Sequence, residues 1–256
     1  MQQGVAVVTG ASQGIGHATA VRLAKDFASL VLVARDAQQL NETAAAVKAL
    51  GAQPLTLALD LRVPEAASTL IDATLKQFGR IDALLNIAGA VPQSDLFEMT
   101  DEQWDDGMAL KLHGARRLAL RARDALKSTK GSVVFMSGNS AQFPKAPYAA
   151  VGTINAAIVA LAKAFADRGL KDRVQVNSVL PGPVMTNRRE SYLAHWAPLH
   201  NVSVEDATAQ FLRSSGISRY GHPEEIAELM AFIVSPGARW MTGTTLRMDG
   251  GEVTSI

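Results

Sequence analysis

Short, almost uninterrupted apolar runs alternate with longer segments of helical period along the whole chain. The runs are VAVVT (5–9), LVLVA (30–34), LTLAL (55–59), ALLNI (83–87), SVVFM (132–136), VQVNSV (174–179) and TTLRM (244–248). A half-exposed strand alternates apolar and polar residues. Runs this continuous belong to strands covered on both faces, the habit of parallel sheets lying under helices. Between them, segments near 14–27, 37–50, 64–78, 101–127, 148–168 and 223–234 have helical period. Strand–helix repetition with right-handed crossovers predicts an α/β architecture: an open, doubly wound parallel sheet with helices on both faces. Its ligands sit at the carboxyl ends of the strands. One stretch, roughly 183–221, breaks the alternation. A connection this long reads as a lid, aromatic-rich and without helix caps, mobile over roughly 187–215 until a ligand closes it.

Composition narrows the class without changing this picture. At 256 residues, with 48% hydrophobic and 19% charged residues, the chain suits a single domain over 1–256 and is far from a disordered composition. A net charge of +1 gives no global reason to expect nucleic acid or an acidic membrane surface as partner. There is no cysteine, hence no disulfide and no thiolate metal site, which suits a cytoplasmic location. The start, MQQGVAVVTG, enters a strand at once, leaving no room for a secretory leader, and no apolar run is read as approaching the roughly 20 residues that span a bilayer.

Candidate chemistry begins directly after the first strand, at TGASQGIG. Gly10 allows the tight turn, Gly14 lets backbone approach a pyrophosphate, and Gly16 permits close helix–strand packing. The helix N-terminus then presents free N–H groups to phosphate. Following a strand and opening a helix, this loop reads as a nucleotide site of Rossmann type, with Ile15 between the last two glycines. The end of the second strand selects the nucleotide. A carboxylate there would bind a ribose 2′-hydroxyl, but the chain has Ala34 followed by Arg35. A guanidinium at that spot, helped by Ser12, grips a 2′-phosphate, so NADP(H) is expected over NAD(H). The adjacent Asp36 is expected to cap the helix that follows.

TGASQGIG, Leu59-Asp60, NIAG (86–89), PGPVMT (181–186), RYGHPEEIA (219–227) and MTGTTLRMDGG (241–251) together resemble a short-chain dehydrogenase/reductase across the whole chain. The resemblance implies a seven-stranded sheet and a homotetramer or homodimer. It implies that Asp60, with Leu61 beside it, meets the adenine, and that Asn86, Ala88 and Gly89 line the cofactor. Pro181, Gly182, Val184 and Thr186 belong to the stretch that would cover the nicotinamide.

The family's usual machinery is Asn, Ser, Tyr and Lys, with the last two spaced Tyr-x-x-x-Lys. Here all four positions have changed. Anchored on NAAIVALAKAFA, Asn155 stands where the lysine belongs, Val151 at the tyrosine and Gly138 at the serine; anchored on QWDDGMALKLHG, Lys111 stands at the asparagine. Four residues after Tyr148 comes Gly152 rather than a lysine. One reading is a degenerate homologue that binds NADP(H) and recognises a ligand or partner without chemistry. The other is a variant active site, because an ammonium and an amide have exchanged places, and Tyr148 lies one helical turn before Val151. The Tyr148-x6-Asn155 spacing resembles the Tyr-x6-Lys of enoyl-acyl-carrier-protein reductases, without their lysine. The lysine in LK, the glycine after the fifth strand and YxxGxxxNAA also resemble a subgroup of short-chain dehydrogenases of unassigned substrate. The second reading makes Tyr148 the proton donor, Lys111 the charge that favours the tyrosinate, and Asn155 the holder of the nicotinamide ribose, for hydride transfer to or from a carbonyl or conjugated carbonyl of a small-molecule substrate. Ser137 and Ser140 flank Gly138; either hydroxyl could approach the substrate or simply bond the loop.

Two features point away from chemistry. Arg116, Arg117, Arg121 and Arg123 do not share one narrow helix face and have no interleaved aromatics, so a solvated or subunit-facing surface is expected rather than a nucleic-acid stripe. His195 and His200 lack a carboxylate pair at ligand spacing, and no metal is expected. Tyr192, Trp196, Leu199 and Phe211 would form an apolar wall of the lid over the nicotinamide, or pack the lid onto the body.

Overall fold

A computed structural model describes residues 2–91 and 94–255. Seven strands, β1 (Gln2–Thr9), β2 (Phe27–Ala34), β3 (Gln53–Ala58), β4 (Ala83–Asn86), β5 (Ser132–Met136), β6 (Gln175–Pro181) and β7 (Thr245–Met248), form one sheet in the order β3-β2-β1-β4-β5-β6-β7. Every pairing is parallel, with registers such as Val7↔Val31, Val7↔Leu84 and Val134↔Asn177. The continuous apolar runs therefore serve two cores at once. Val5, Val7, Val31, Val33, Leu84 and Phe135 face α3 (Ala66–Phe78), α5 (Ala115–Arg121) and α7 (Ala149–Asp172), while Ala6, Val8, Leu30, Leu32 and Leu85 face α1 (Gly14–Leu23), α2 (Ala37–Ala49) and α10 (Pro223–Val234). Alternate residues go to opposite faces, as the pleat requires.

The expected helix over 101–127 is longer and less regular than its period suggests. It runs as α4 (Asp101–Gly107), a π-helical segment (Met108–Gly114), α5 and α6 (Arg123–Thr129). Thr100 and Gln103 close a capping box at its start. The π turn widens the backbone and carries Lys111 inward, where only 9% of the residue is exposed; such insertions recur at functional sites. The arginines farther along this helix are tied down locally: Arg121 to Asp72 (2.7 Å), Arg123 to Asp172 (3.1 Å) and Arg117 to the Arg62 carbonyl (3.1 Å).

Two expectations need correction. The stretch 183–221 is not a capless loop but a helical hairpin, α8 (Asn187–Leu199) and α9 (Val204–Ser215), with Thr186 and Ser203 as N-caps. It has a small core of its own in Leu193, Ala197, Ala207 and Tyr220. The capping hydroxyls were visible in the sequence; the interrupting apolar residues hid the helical period. Second, the helical run Ala146–Asp172 does reach the length and apolarity of a membrane span. Its inward stripe Ile158, Ala162 and Ala166 packs on the sheet, Ile154 is buried beside Val91, and Lys163, Asp167 and Arg168 face outward, so in this fold it is a core helix.

Gly152, in the first turn of α7, is required by packing rather than by backbone conformation. A β-carbon there would lie 3.0 Å from Pro144 Cβ and 3.2 Å from the Ser140 carbonyl oxygen, because the segment after β5 crosses the helix at this point. In an open helix Gly→Ala gains about 1 kcal/mol. Here Gly152→Ala is expected to lose about 1–3 kcal/mol through overpacking, read as a lower midpoint in urea unfolding. An unchanged or raised midpoint would contradict this contact.

Candidate active site and nucleotide cleft

A cleft of about 600 Å³ opens at the carboxyl ends of the strands, beside the point between β1 and β4 where the strand order reverses. Gly10, Ser12, Gly14, Ile15 and Gly16 form one wall. A β-carbon on Gly16 would lie 2.0 Å from the Gly10 carbonyl oxygen, which no side chain survives, and Gly10 itself has φ +68° and abuts Ala88. The Thr9 hydroxyl accepts from the backbone N–H of Ile87 (2.9 Å) and Ala88 (3.0 Å), stapling the turn after β4 to the glycine loop. No side chain caps the N-terminus of α1, so its first N–H groups are left for an anion. Arg35 lies exposed on the cleft wall, and Asp36 caps α2 through Gln39 N–H (3.0 Å) as expected. An uncapped helix N-terminus and a guanidinium without an ion pair among the described residues fit a pyrophosphate and a 2′-phosphate.

The remaining expected cofactor residues divide. Asp60, Leu61, Ala88, Gly89 and Thr186 line the cleft. Asp60 also accepts from Arg62 N–H at 3.0 Å. Asn86 does not line it: its side chain is buried at the end of β4, and neither amide atom has a partner among the described residues. Pro181, Gly182 and Val184 lie behind the wall. They tie β6 to β7 through Gly182 N–H to the Met248 carbonyl (3.0 Å), and to the start of α10 through the Val184–Gly221 bridge. They place Thr186 rather than touch the cleft.

Lys111 and Asn155 meet. The Lys111 ammonium donates to Asn155 Oδ1 at 2.5 Å and to the Ser137 carbonyl at 3.0 Å, immediately behind Gly89 of the cleft wall. No carboxylate pairs with it among the described residues. Burial, with Arg188's positive charge adding to it, lowers the lysine from its usual range to about 8. Asn155 is 2% exposed, and its Nδ2 donates to Ser140 Oγ at 2.8 Å. The expected hold of Asn155 on the ribose is therefore corrected: its amide is committed to Lys111 and Ser140. Gly138 follows from this arrangement, since a β-carbon there would lie 2.6 Å from Asn155 Nδ2. The lost serine makes room for the new amide.

The two serines flanking Gly138 part company. Ser137 is buried and donates to the Asn155 backbone carbonyl at 2.7 Å, a structural bond. Ser140 accepts from Asn155, which leaves its own proton free to donate. Val151, at the position of the family's tyrosine, packs into an apolar cluster with Val91, Ala150 and Ile154. Tyr148, half-buried at the start of α7, is not hydrogen-bonded to Lys111 or Asn155 and instead neighbours Tyr192 and Tyr220 of the lid region. The aromatic residues of α8 and α9 pack together, Trp196 on Phe211 at 5.1 Å and Tyr192 on Phe211 at 5.8 Å. His200 stacks on Trp196 and bonds its carbonyl.

A family model described as enoyl-(acyl carrier protein) reductase matches residues 10–252. The short-chain reductase protein NovJ of Streptomyces niveus is 31% identical over 252 residues, covering 98% of this chain and 94% of that protein. Among solved structures, L-sorbose reductase from Gluconobacter frateurii, complexed with NADPH and L-sorbose, superposes with a TM-score of 0.96 at 28% identity, over 100% of this chain and 98% of that one. An actinorhodin polyketide ketoreductase with NADPH gives 0.91 at 28% identity, over 98% and 97%. With the sheet order, the glycine loop and a match over nearly its full length, the chain belongs to the short-chain dehydrogenase/reductase family.

Proposed function

We propose that this protein is an NADP(H)-dependent oxidoreductase that transfers hydride to or from a carbonyl or conjugated carbonyl of a small molecule, through a variant active site. The observation that carries it is the hydrogen-bond chain Lys111–Asn155–Ser140 beside the cleft. A decayed site would have no reason to keep a buried ammonium, the amide that accepts from it, and the glycine that admits the amide. Related NADPH-bound reductases and the free guanidinium of Arg35 support the choice of nucleotide.

Bound nicotinamide supplies or takes up the hydride; the chain supplies position and protons. Arg35 and the α1 N-terminus hold the phosphates, and Thr186 closes the far wall. Ser140 donates a hydrogen bond from its free hydroxyl to the substrate carbonyl oxygen and keeps its proton. Lys111 polarises that hydroxyl through Asn155, and in a buried, low-dielectric setting such linked bonds strengthen one another. Tyr148 donates the proton that completes reduction. Lys111 keeps the Asn155–Ser140 chain polarised toward the carbonyl oxygen while it carries its proton, which burial makes easier to lose than that of an exposed lysine.

Three outcomes test this reading. NADPH is expected to bind at least about tenfold more tightly than NADH, the value of one charge-assisted phosphate contact, and Arg35→Ala to abolish the difference in calorimetric titration. Equal affinities in the wild type would refute the nucleotide assignment. Ser140→Ala, Lys111→Met and Tyr148→Phe are each expected to cut turnover about 10²-fold, with NADPH affinity nearly intact; normal turnover in any of them removes that residue from the mechanism. The third outcome is independent of activity. Below pH 8 both the folded and the unfolded chain carry the Lys111 proton, and the folded state bears the full cost of burying it. Between about 8 and 10.5 the unfolded chain holds the proton and the folded one releases it, so stability rises with pH. Wild type is expected to gain about 3 kcal/mol over Lys111→Met across that window, measured by urea unfolding. A flat difference would place the ammonium in solvent.

A further inference from the structure

The chain has three tyrosines, and the fold brings all three to one place although they lie far apart in sequence. Tyr148 stands at the start of α7, Tyr192 on α8, and Tyr220 in the bridge before α10. Burial raises the phenols of Tyr192 and Tyr220, and the neighbouring Tyr148 adds to both shifts. Arg189 lies among them, its guanidinium carbon 5.3 Å from the Tyr192 ring centre and 5.8 Å from that of Tyr220. Those rings hold the planar group in place.

Two features of this cluster ask for a ligand. Arg189 has no carboxylate partner among the described residues, whereas Arg219 nearby is forked onto Glu225 at 2.7 and 2.8 Å. Tyr220 is 6% exposed, and its hydroxyl is buried without any hydrogen-bond partner among the described residues. A phenol that is buried and unpaired in the free protein is satisfied on binding. The surrounding charge has one sign in excess. Arg188 and Arg189 stand side by side in the first turn of α8, against Glu252, whose charge reaches Tyr220 and whose carboxylate is held by Asn139 Nδ2 at 2.5 Å. Arg188 lines the nucleotide cleft; Arg189, its neighbour in sequence, does not.

We propose that this cluster is the specificity pocket of the site described above, and that it selects a carbonyl substrate bearing an anionic group, carboxylate or phosphate. Arg189 grips the anion, and the Tyr220 and Tyr192 hydroxyls donate to its remaining oxygens. The carbonyl is thereby directed toward Ser140 and Tyr148. This rests on the oxidoreductase reading, which fixes where the reacting carbonyl goes.

The test uses binding in the oxidised-cofactor complex, where no ketone is turned over. The protein saturated with NADP⁺ is titrated calorimetrically with acetoacetate, levulinate and phenylpyruvate, each beside its methyl ester, and with dihydroxyacetone phosphate beside dihydroxyacetone. At least one anionic member is expected to bind about tenfold or more tightly than its neutral counterpart. Arg189→Met is expected to erase that preference without weakening NADP⁺, and Tyr220→Phe to reduce it. Preference among the acids identifies a carboxylate substrate, and preference confined to the phosphate identifies a phosphorylated one. Neutral members binding as well as anionic ones, or no member of any pair binding, overturns the proposal. So does a loss of NADP⁺ affinity in Arg189→Met, which would assign the guanidinium to the cofactor. NADPH oxidation by the neutral ketones alone would overturn it too, while leaving the oxidoreductase reading standing.

Discussion

The site is organised around one constraint: an ammonium buried without a carboxylate must be satisfied by neutral oxygens. Removing a charge from water is expensive, and the cost is repaid only by close, well-aligned acceptors. Lys111 finds two, the Asn155 side chain and the Ser137 carbonyl. Each demands something of the backbone. The π turn swings the lysine inward from the long helix, Gly138 leaves the volume that the Asn155 amide fills, and Gly89 lets the lysine stem pass behind the cleft wall. Substituting any one of these residues alone leaves another group unpaired or displaced, which is why they are best understood as a single unit.

That unit joins the two halves of the sheet's function. The nucleotide half is built on β1, β2 and β4, where the glycine loop, Arg35 and the Thr9 staple depend on backbone geometry and tolerate little change. The chemical half is built on β5, α7 and the π segment, where side chains make the contacts and can be exchanged if volume and hydrogen bonding are conserved. The four altered positions all lie in the second half. Val151 shows the same logic from the apolar side, since a hydrophobic cluster has taken the place a tyrosine would occupy.

Sequence periodicity was sufficient for the sheet, because parallel strands buried on both faces are continuous apolar runs, and for the glycine loop, because its spacing has a steric cause. The Lys111–Asn155 exchange was legible from the motifs NAAIVALAKAFA and QWDDGMALKLHG once they were set against the family's pattern. What spacing could not reveal was direction. The Asn155 amide is taken up by Lys111 and Ser140 and does not line the nucleotide cleft, and Asn86 is buried beneath the wall rather than lining it. The paired helices 187–199 and 204–215 were masked by their mixed surface, although Thr186 and Ser203 each stand at a helix start. The meeting of the three tyrosines has no local signature, for it depends on how α8 and the segment before α10 return over α7.

The exchange of lysine and asparagine also changes what the phenol must do. With a lysine on α7, a tyrosine one turn earlier shares its helix face, and the two are locked in register. Moving the cation to the opposite wall frees the phenol from that register. Tyr148 can then sit at the helix start, where it neighbours the lid's own tyrosines instead of the lysine. In the proposed mechanism, polarisation of the carbonyl passes to Ser140 through Asn155, and substrate selection passes to the lid. A site arranged this way separates electrostatic activation, which is buried and rigid, from recognition, which lies on α8 and the bridge before α10. The buried part is costly to alter, so substrate range would vary through the lid while the Lys111–Asn155–Ser140 chain stays fixed.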